Sequence, residues 1–80
     1  MVVRYRNEAV EELIETVKYY NNERSGLGFE FASEIRKGIN RIKKYPESWP
    51  KISTNVRKCL INRFPFSILY YIDSEVLLIL

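Results

Sequence analysis

The chain contains no histidine, a single cysteine and only three glycines. Without histidine it has no Ser-His-Asp constellation and lacks the commonest general base of enzymes. The lone cysteine, Cys59, cannot form an internal disulfide. With no histidine partner it is expected to be a small buried hydrophobe rather than a nucleophile. This cysteine usage favours the cytoplasm as the compartment.

Other common signals of function are also missing. No apolar run approaches the roughly 20 residues of a membrane helix, and the N-terminus has no segment long enough for a signal peptide. The stretch Gly26-Leu27-Gly28 lacks the third glycine and the preceding strand of a phosphate-binding loop. Acidic residues near the N-terminus recur at helical spacing, but nothing supplies further ligands, so we expect neither a metal nor a cofactor.

The composition that is present fits one small globular domain. Of the 80 residues, 46% are hydrophobic and 29% are charged, and the net charge is +3. The charge is unevenly spread, because residues 36–63 carry nine basic and one acidic side chain whereas residues 1–35 carry four basic and seven acidic ones. A basic block of this kind attracts phosphate backbones or an acidic protein, and it is also compatible with a solvated face balanced by an acidic helix.

Apolar residues at three- and four-residue spacing predict two helices joined by a short turn. The first is predicted over residues 8–23, with Asn7 as its N-cap, and the second over residues 28–44. Gly38 lies inside the second helix, and a close approach of the first helix is expected there. Trp49, in the loop that follows, is expected to pack over one end of the core as a lid.

Runs of β-branched, aromatic and aliphatic residues predict four strands, over residues 1–6, 55–63, 66–72 and 76–80. The last run is continuously apolar, so we expect it to be buried on both faces and to form an exposed edge of the sheet. The order is therefore β-α-α-β-β-β, an α+β domain with a helical hairpin packed on a small antiparallel sheet. The predicted core contains Leu13, Val17, Phe31, Ile35, Ile39, Ile68 and Tyr70.

The second half of the chain is organised around a predicted β-hairpin, residues 57–72. In its second strand, alternate residues beginning at Phe66 are apolar and are expected to face the core. The first part places Arg57, Lys58 and Arg63 beside these apolar side chains. Arginine beside aromatic residues is typical of interface hot spots. The candidate partner-binding residues are therefore Arg57, Lys58, Arg63 and Phe66.

The sequence of this hairpin resembles the RelE/ParE family of bacterial toxins. Arg57 followed by Arg63-Phe64-Pro65-Phe66-Ser67-Ile68-Leu69-Tyr70 is similar to the central signature of the family, in which a strand with an arginine runs into Arg-Phe-Pro-Tyr or a close variant. The similarity covers nearly the whole chain, which we interpret as a single toxin domain, residues 1–80. Further matches, in family order and spacing, are Ala9…Glu12-Leu13, Tyr19-Tyr20, Leu27-Gly28…Phe31, Ile39…Ile42 and Tyr45-Pro46…Trp49-Pro50.

The resemblance implies the toxin of a type II toxin–antitoxin module, with growth inhibition and plasmid stabilization as its setting. It also implies an acidic antitoxin, partly disordered when free, that wraps and neutralises the toxin, with either a toxin homodimer or a heterotetramer with antitoxin as the assembly. RelE-like members cut mRNA on the ribosome, whereas ParE-like members poison DNA gyrase. The Tyr19-Tyr20 pair and the Arg-Phe-Pro-Phe signature favour the ParE branch.

Within this resemblance we do not expect catalysis. The nuclease branch tends to place an arginine where this chain has Ser67. The chain also stops at Leu80, inside an apolar run, so either the last strand ends there or the chain is shorter than its relatives. We expect a protein that binds gyrase through the four candidate residues. Three alternatives stay open: a ribosome-dependent mRNA endonuclease, a decayed toxin that retains only antitoxin binding, and a nucleic-acid-binding module.

Overall fold

The computed structural model describes residues 1–80 and consists of two helices packed on one face of a four-stranded sheet. The predicted order of elements is confirmed. Five of the six elements have bounds within one residue of those predicted. The exception is the second strand, which was predicted over residues 55–63 and covers only Arg57–Leu60; after it the chain turns at Arg63, where φ is 73°. The elements are β1 (Val2–Tyr5), α1 (Asn7–Glu23), α2 (Leu27–Lys44), β2 (Arg57–Leu60), β3 (Ser67–Asp73) and β4 (Val76–Ile79).

The sheet has the order β1-β4-β3-β2. The three C-terminal strands are antiparallel as predicted, and β1 adds to β4 in parallel, so the complete sheet is mixed. The prediction that the last strand forms an exposed edge is wrong, because β4 lies between β1 and β3. The free side of β2 is partly covered, since the Lys58 N–H bonds to the Pro50 carbonyl at 3.1 Å. The open edge of the sheet is therefore β1.

The core lies between α2 and the centre of the sheet. Phe31, Ile39 and Ile42 of α2 are buried against Tyr70 of β3 and Leu77 of β4. Of the predicted core residues, Phe31, Ile39, Ile68 and Tyr70 are buried, while Leu13, Val17 and Ile35 are only partly buried. Burial along β4 alternates, with Leu77 and Ile79 buried and their neighbours half-buried. The prediction of burial on both faces is therefore wrong, because the helices cover only one face.

Two glycines of α2 allow close packing, and they act on different neighbours. A β-carbon at Gly38 would lie 2.8 Å from Ile68 Cδ1, so this glycine lets α2 approach the sheet. The expectation that α1 approaches Gly38 is wrong. Gly28 is the residue that meets α1, because a β-carbon there would overlap the Val17 carbonyl oxygen. The Gly28 N–H also donates to Asn21 Oδ1 at 2.8 Å, which fixes the start of α2 against α1.

Helix α1 packs mainly against α2 and has no fully buried residue. Val10 and Ile14 remain 38% and 49% exposed although they belong to its apolar stripe. The predicted cap at Asn7 is wrong. Asn7 is the first helical residue, and Arg6 occupies the N-cap position without a side-chain hydrogen bond. Arg6 keeps an extended backbone because its N–H bonds to the Ile79 carbonyl of β4 at 3.0 Å. Neither helix is long and apolar enough to cross a membrane.

Candidate interaction site

Four aromatic rings join the β2–β3 connection to both helices. Phe64 and Phe66 come from the connection, Tyr20 from α1 and Phe31 from α2. The Phe31 ring lies 5.3 Å from Phe64 and 5.1 Å from Phe66, both in edge-to-face arrangements. Tyr20 contacts Phe64 at 5.0 Å in the same way. Aromatic pairs prefer this geometry, because the positive ring edge meets the negative ring face. Phe66, a predicted contact residue, is thus half-buried and anchors this connection.

Arg63 links the same connection to the first turns of α2. Its guanidinium lies 2.5 Å from the Glu30 carboxylate and 3.9 Å from that of Glu34. The hydrogen bond from Arg63 holds the pKa of Glu30 below its ordinary value of 4.5, because it stabilises the ionised carboxylate. Both glutamates were missed by the sequence analysis. Glu34 carried a signal, since it lies three residues after Phe31 and four before Gly38, on the face of α2 that packs inward.

Arg57 lies at a different place and fixes the loop between α2 and β2. Its Nη1 donates to the Glu47 carbonyl at 3.1 Å and to the Trp49 carbonyl at 2.7 Å. Tyr70, its cross-strand partner, donates its hydroxyl to the Pro46 carbonyl at 2.8 Å. Burial raises the pKa of the Tyr70 phenol, so it stays a donor. Trp49 is half-buried against the core, which confirms the predicted lid.

Lys58 points away from the helices. Consecutive residues of a strand face opposite sides of the sheet, and Cys59, beside it, is fully buried on the helix side. The expectation that Cys59 is a buried hydrophobe is confirmed, and burial raises the pKa of its thiol. The predicted residues therefore do not form one patch. Arg63 and Phe66 lie beside α2, while Arg57 and Lys58 point to opposite faces of β2.

An apolar groove that sequence analysis did not predict lies between α1, α2 and β1. It exists because α1 packs on α2 and stays open towards the sheet. Its larger part has a volume of about 510 Å³. The lining residues of this part are Val3, Tyr5, Val10, Leu13, Ala32, Ile35, Arg36, Ile39, Asn40 and Lys43. An adjoining cleft continues along α1 to Phe31 and Phe66, so the groove reaches the aromatic cluster.

The open edge of the sheet borders this groove. The Val2 N–H bonds to a carbonyl just before β4, and the Arg6 N–H bonds to a carbonyl within β4. Backbone groups of successive residues in a strand point in opposite directions, so the N–H and carbonyl groups of Val3 and Tyr5 point away from the sheet. Unpaired backbone groups on an edge strand accept an additional strand. A groove lined by apolar side chains beside such an edge suits an amphipathic helix or an extended segment.

With this geometry, the chain is similar to a solved chain described as "Chromosomal ParDE TA system from P. aeruginosa". The TM-score is 0.85, and the superposition covers 99% of this chain and 89% of that chain. The fold is ParE-like. The sequence identity is 16%, so the likeness shows the fold alone. No family model matches the sequence, and no curated protein matches it either.

Proposed function

We propose that this chain is the toxin of a type II toxin–antitoxin module, that an acidic antitoxin neutralises it, and that it inhibits growth by binding DNA gyrase. The observation that carries the first part is the ParE-like fold, which the chain shares over almost its whole length with a chain of a ParDE toxin–antitoxin system. The Arg63-Phe64-Pro65-Phe66 signature supports the same assignment. The signature forms the connection that ties β2 to the helices.

The antitoxin is proposed to occupy the groove beside α1 and the open edge of β1. The exposed apolar side chains of Val10 and Ile14, at 38% and 49%, fit the apolar face of an amphipathic helix. The free N–H and carbonyl groups of Val3 and Tyr5 fit an added strand. Arg36 and Lys43 lie at the rim of the groove and would attract an acidic segment. The edge proposed to bind the antitoxin is β1, because the last strand lies inside the sheet.

Binding of gyrase is assigned to the exposed cations Lys58 and Arg63, which lie on different surfaces of the hairpin, with Phe66 and Arg57 in supporting positions. Arg63 is 52% exposed and contacts the face of Phe64 at 5.6 Å, a pairing common at interfaces. Arg57 already uses one nitrogen to hold the loop before β2, so its removal would also alter that loop. Lys58 lies on the uncovered face of the sheet. No step of chemistry is assigned to any of these residues.

Co-expression with the neighbouring small open reading frame tests the antitoxin. A Val10→Glu variant places a charge in the groove and should abolish co-purification, because an apolar helix face would have to bury it. Phe29→Glu is the matched control, since Phe29 is 70% exposed and does not line the groove. If both variants co-purify as well as the original chain, the groove is not the binding site. If the original chain never co-purifies at low salt, the antitoxin proposal fails.

Inducible expression distinguishes the candidate targets. Poisoning of gyrase should give filamentation, DNA-damage signalling and intact mRNA. Cleavage on the ribosome should instead give rapid mRNA loss with translation arrest, and a decayed toxin should give no growth defect. Lys58→Gln and Arg63→Gln should weaken the arrest, while Lys18→Gln, an exposed cation on α1, should leave it unchanged. Full toxicity of both site variants would show that these cations are not the contact.

A further inference from the structure

The C-terminal half of α2 carries a cationic face of which the proposed antitoxin contacts use only Arg36 and Lys43. Residues 36–45 contain five basic side chains and no acidic one. Four of the five are exposed, and Arg41 is half-buried. We define this cationic face as Arg36, Lys37, Arg41, Lys43 and Lys44.

Most of these charges lack a partner. Lys37 lies 3.6 Å from the Glu34 carboxylate, but that same carboxylate is also 3.9 Å from Arg63. Arg41 donates only to the Leu60 carbonyl, at 3.5 Å. The other three cations have no carboxylate within 4.0 Å. Like charges three and four positions apart on a helix repel one another. The face therefore carries unneutralised positive charge that an anionic ligand would relieve.

The helix dipole accounts for only part of the face. Cations in the last turn are favourable because the C-terminal end of a helix is negative, and that effect falls off within one turn. The dipole therefore stabilises the charges of Arg41, Lys43 and Lys44, which lie in the last turn. Arg36 and Lys37 lie about two turns from the end of α2, beyond its reach. Nor do the glutamates of α1 neutralise the face, since Glu8, Glu11, Glu12 and Glu15 are exposed and form no ion pair with it.

We propose that the cationic face binds the phosphate backbone of a nucleic-acid duplex without reading its bases. At about 1.5 Å of rise per residue, Arg36 to Lys44 spans about 12 Å. Phosphates of one strand follow the duplex axis at about 3.4 Å intervals, so the face reaches about three or four of them. An acidic protein fits the rest of the face less well, because protein interfaces are depleted in lysine and rely on apolar anchors, and Lys37, Arg41 and Lys44 do not line the apolar groove. The proposal does not depend on the antitoxin or the target proposed above, although Arg36 and Lys43 also line the antitoxin groove.

Fluorescence anisotropy over a salt titration tests the proposal. The probes are a 20-base-pair DNA duplex of arbitrary sequence and an RNA duplex of equal length. With about 0.9 counterions released per phosphate, three or four contacts predict a loss of affinity of about 40- to 150-fold between 50 and 200 mM salt. The double variant Lys37→Gln/Lys44→Gln should make the log–log slope shallower by about two. Glutamine forms helices well, so α2 should persist in the double variant.

The matched control is Arg4→Gln/Lys18→Gln, which removes the same charge from exposed positions on β1 and α1. Its slope should equal that of the original chain. Tighter binding of DNA or of RNA identifies the source of the backbone, and equal binding supports recognition of phosphate alone. Equal slopes for the two double variants would overturn the proposal. So would failure of both duplexes to bind at 50 mM salt, or equal binding of poly-glutamate, which would indicate an acidic protein. Unchanged antitoxin co-purification by Lys37→Gln/Lys44→Gln, at positions that do not line the groove, would keep the two proposals separate.

Discussion

The Arg63 guanidinium donates a hydrogen bond to the Glu30 carboxylate at 2.5 Å, across 33 positions of sequence. The contact joins the β2–β3 connection to the first turn of α2. It accompanies the packing of Phe64 and Phe66 on Phe31, so the connection is held by aromatic contacts and by an ion pair. The segment with the family-like signature is therefore a fixed surface.

The ion pair predicts a pH dependence with a defined sign. Because the hydrogen bond from Arg63 lowers the folded-state pKa of Glu30 below 4.5, it adds stability above that pH. The contribution is lost as the pH falls through the lowered pKa. An NMR titration of Glu30 should give a midpoint below 4.5 that rises towards 4.5 in Arg63→Gln. The control variant Arg4→Gln should leave the midpoint of the Glu30 titration unchanged. An identical midpoint in the Arg63 variant would show that the pair does not form.

Phe31 is predicted to dominate the stability of the core. It is 2% exposed and contacts Tyr20, Phe64 and Phe66. Phe31→Ala should lower the free energy of unfolding by about 3–5 kcal/mol, since it leaves a cavity among buried rings. Phe29→Ala is the control, because Phe29 is 70% exposed two positions away on the same helix. Urea denaturation measures both. A loss below about 1 kcal/mol for Phe31→Ala would mean that the helix face is assigned wrongly.

Substitution of the two packing glycines by alanine is predicted to lower the free energy of unfolding by different amounts. Gly28→Ala should lower the free energy of unfolding by about 1–3 kcal/mol, because the new methyl group meets the backbone oxygen of Val17, which cannot rotate away. Gly38→Ala should cost less. It meets the end of the Ile68 side chain at 2.8 Å, and alanine gains about 1 kcal/mol of helix propensity. Thermal denaturation of both variants gives the ranking, and the reverse order would contradict this packing.

Cys59 is predicted to be unreactive while the chain is folded. It is 0% exposed, and burial raises the pKa of its thiol, so little thiolate is present near neutral pH. Labelling with a chromogenic thiol reagent should be slow in buffer and fast in concentrated urea. A Leu60→Cys variant is the reference, because Leu60 is the next residue and is 66% exposed. Equal rates for the two thiols in buffer would contradict the burial of Cys59.

Sequence periodicity predicts which elements contact the core, but it does not predict how closely each element packs. Phe31, Ile39, Ile68 and Tyr70 were predicted and are buried, because α2 and β3 face each other directly. The apolar stripe of α1 has the same spacing, yet its side chains stay partly exposed. The spacing of apolar residues does not reveal how closely a helix approaches a sheet. For the same reason the groove was missed.

The sequence also does not predict contacts between segments that lie far apart along the chain. The partners of Arg63 depend on a left-handed turn at that residue, and left-handed arginine is uncommon. Arg57 was read as a surface cation, but it hydrogen-bonds the loop before β2. The parallel pairing of β1 with β4 places the last strand in the interior. Residue types alone indicate a basic hairpin, and only the topology shows that its cations separate onto different surfaces.

A supercoiling assay with purified components is the most direct test of the proposed binding to gyrase. Gyrase, ATP and relaxed plasmid are mixed with increasing amounts of the chain, and the products are separated on a gel. If the chain poisons gyrase, we expect loss of supercoiling and accumulation of cleaved plasmid, with both effects weakened by Arg63→Gln and unaffected by Lys18→Gln. Complete supercoiling at a large molar excess of folded chain would contradict it.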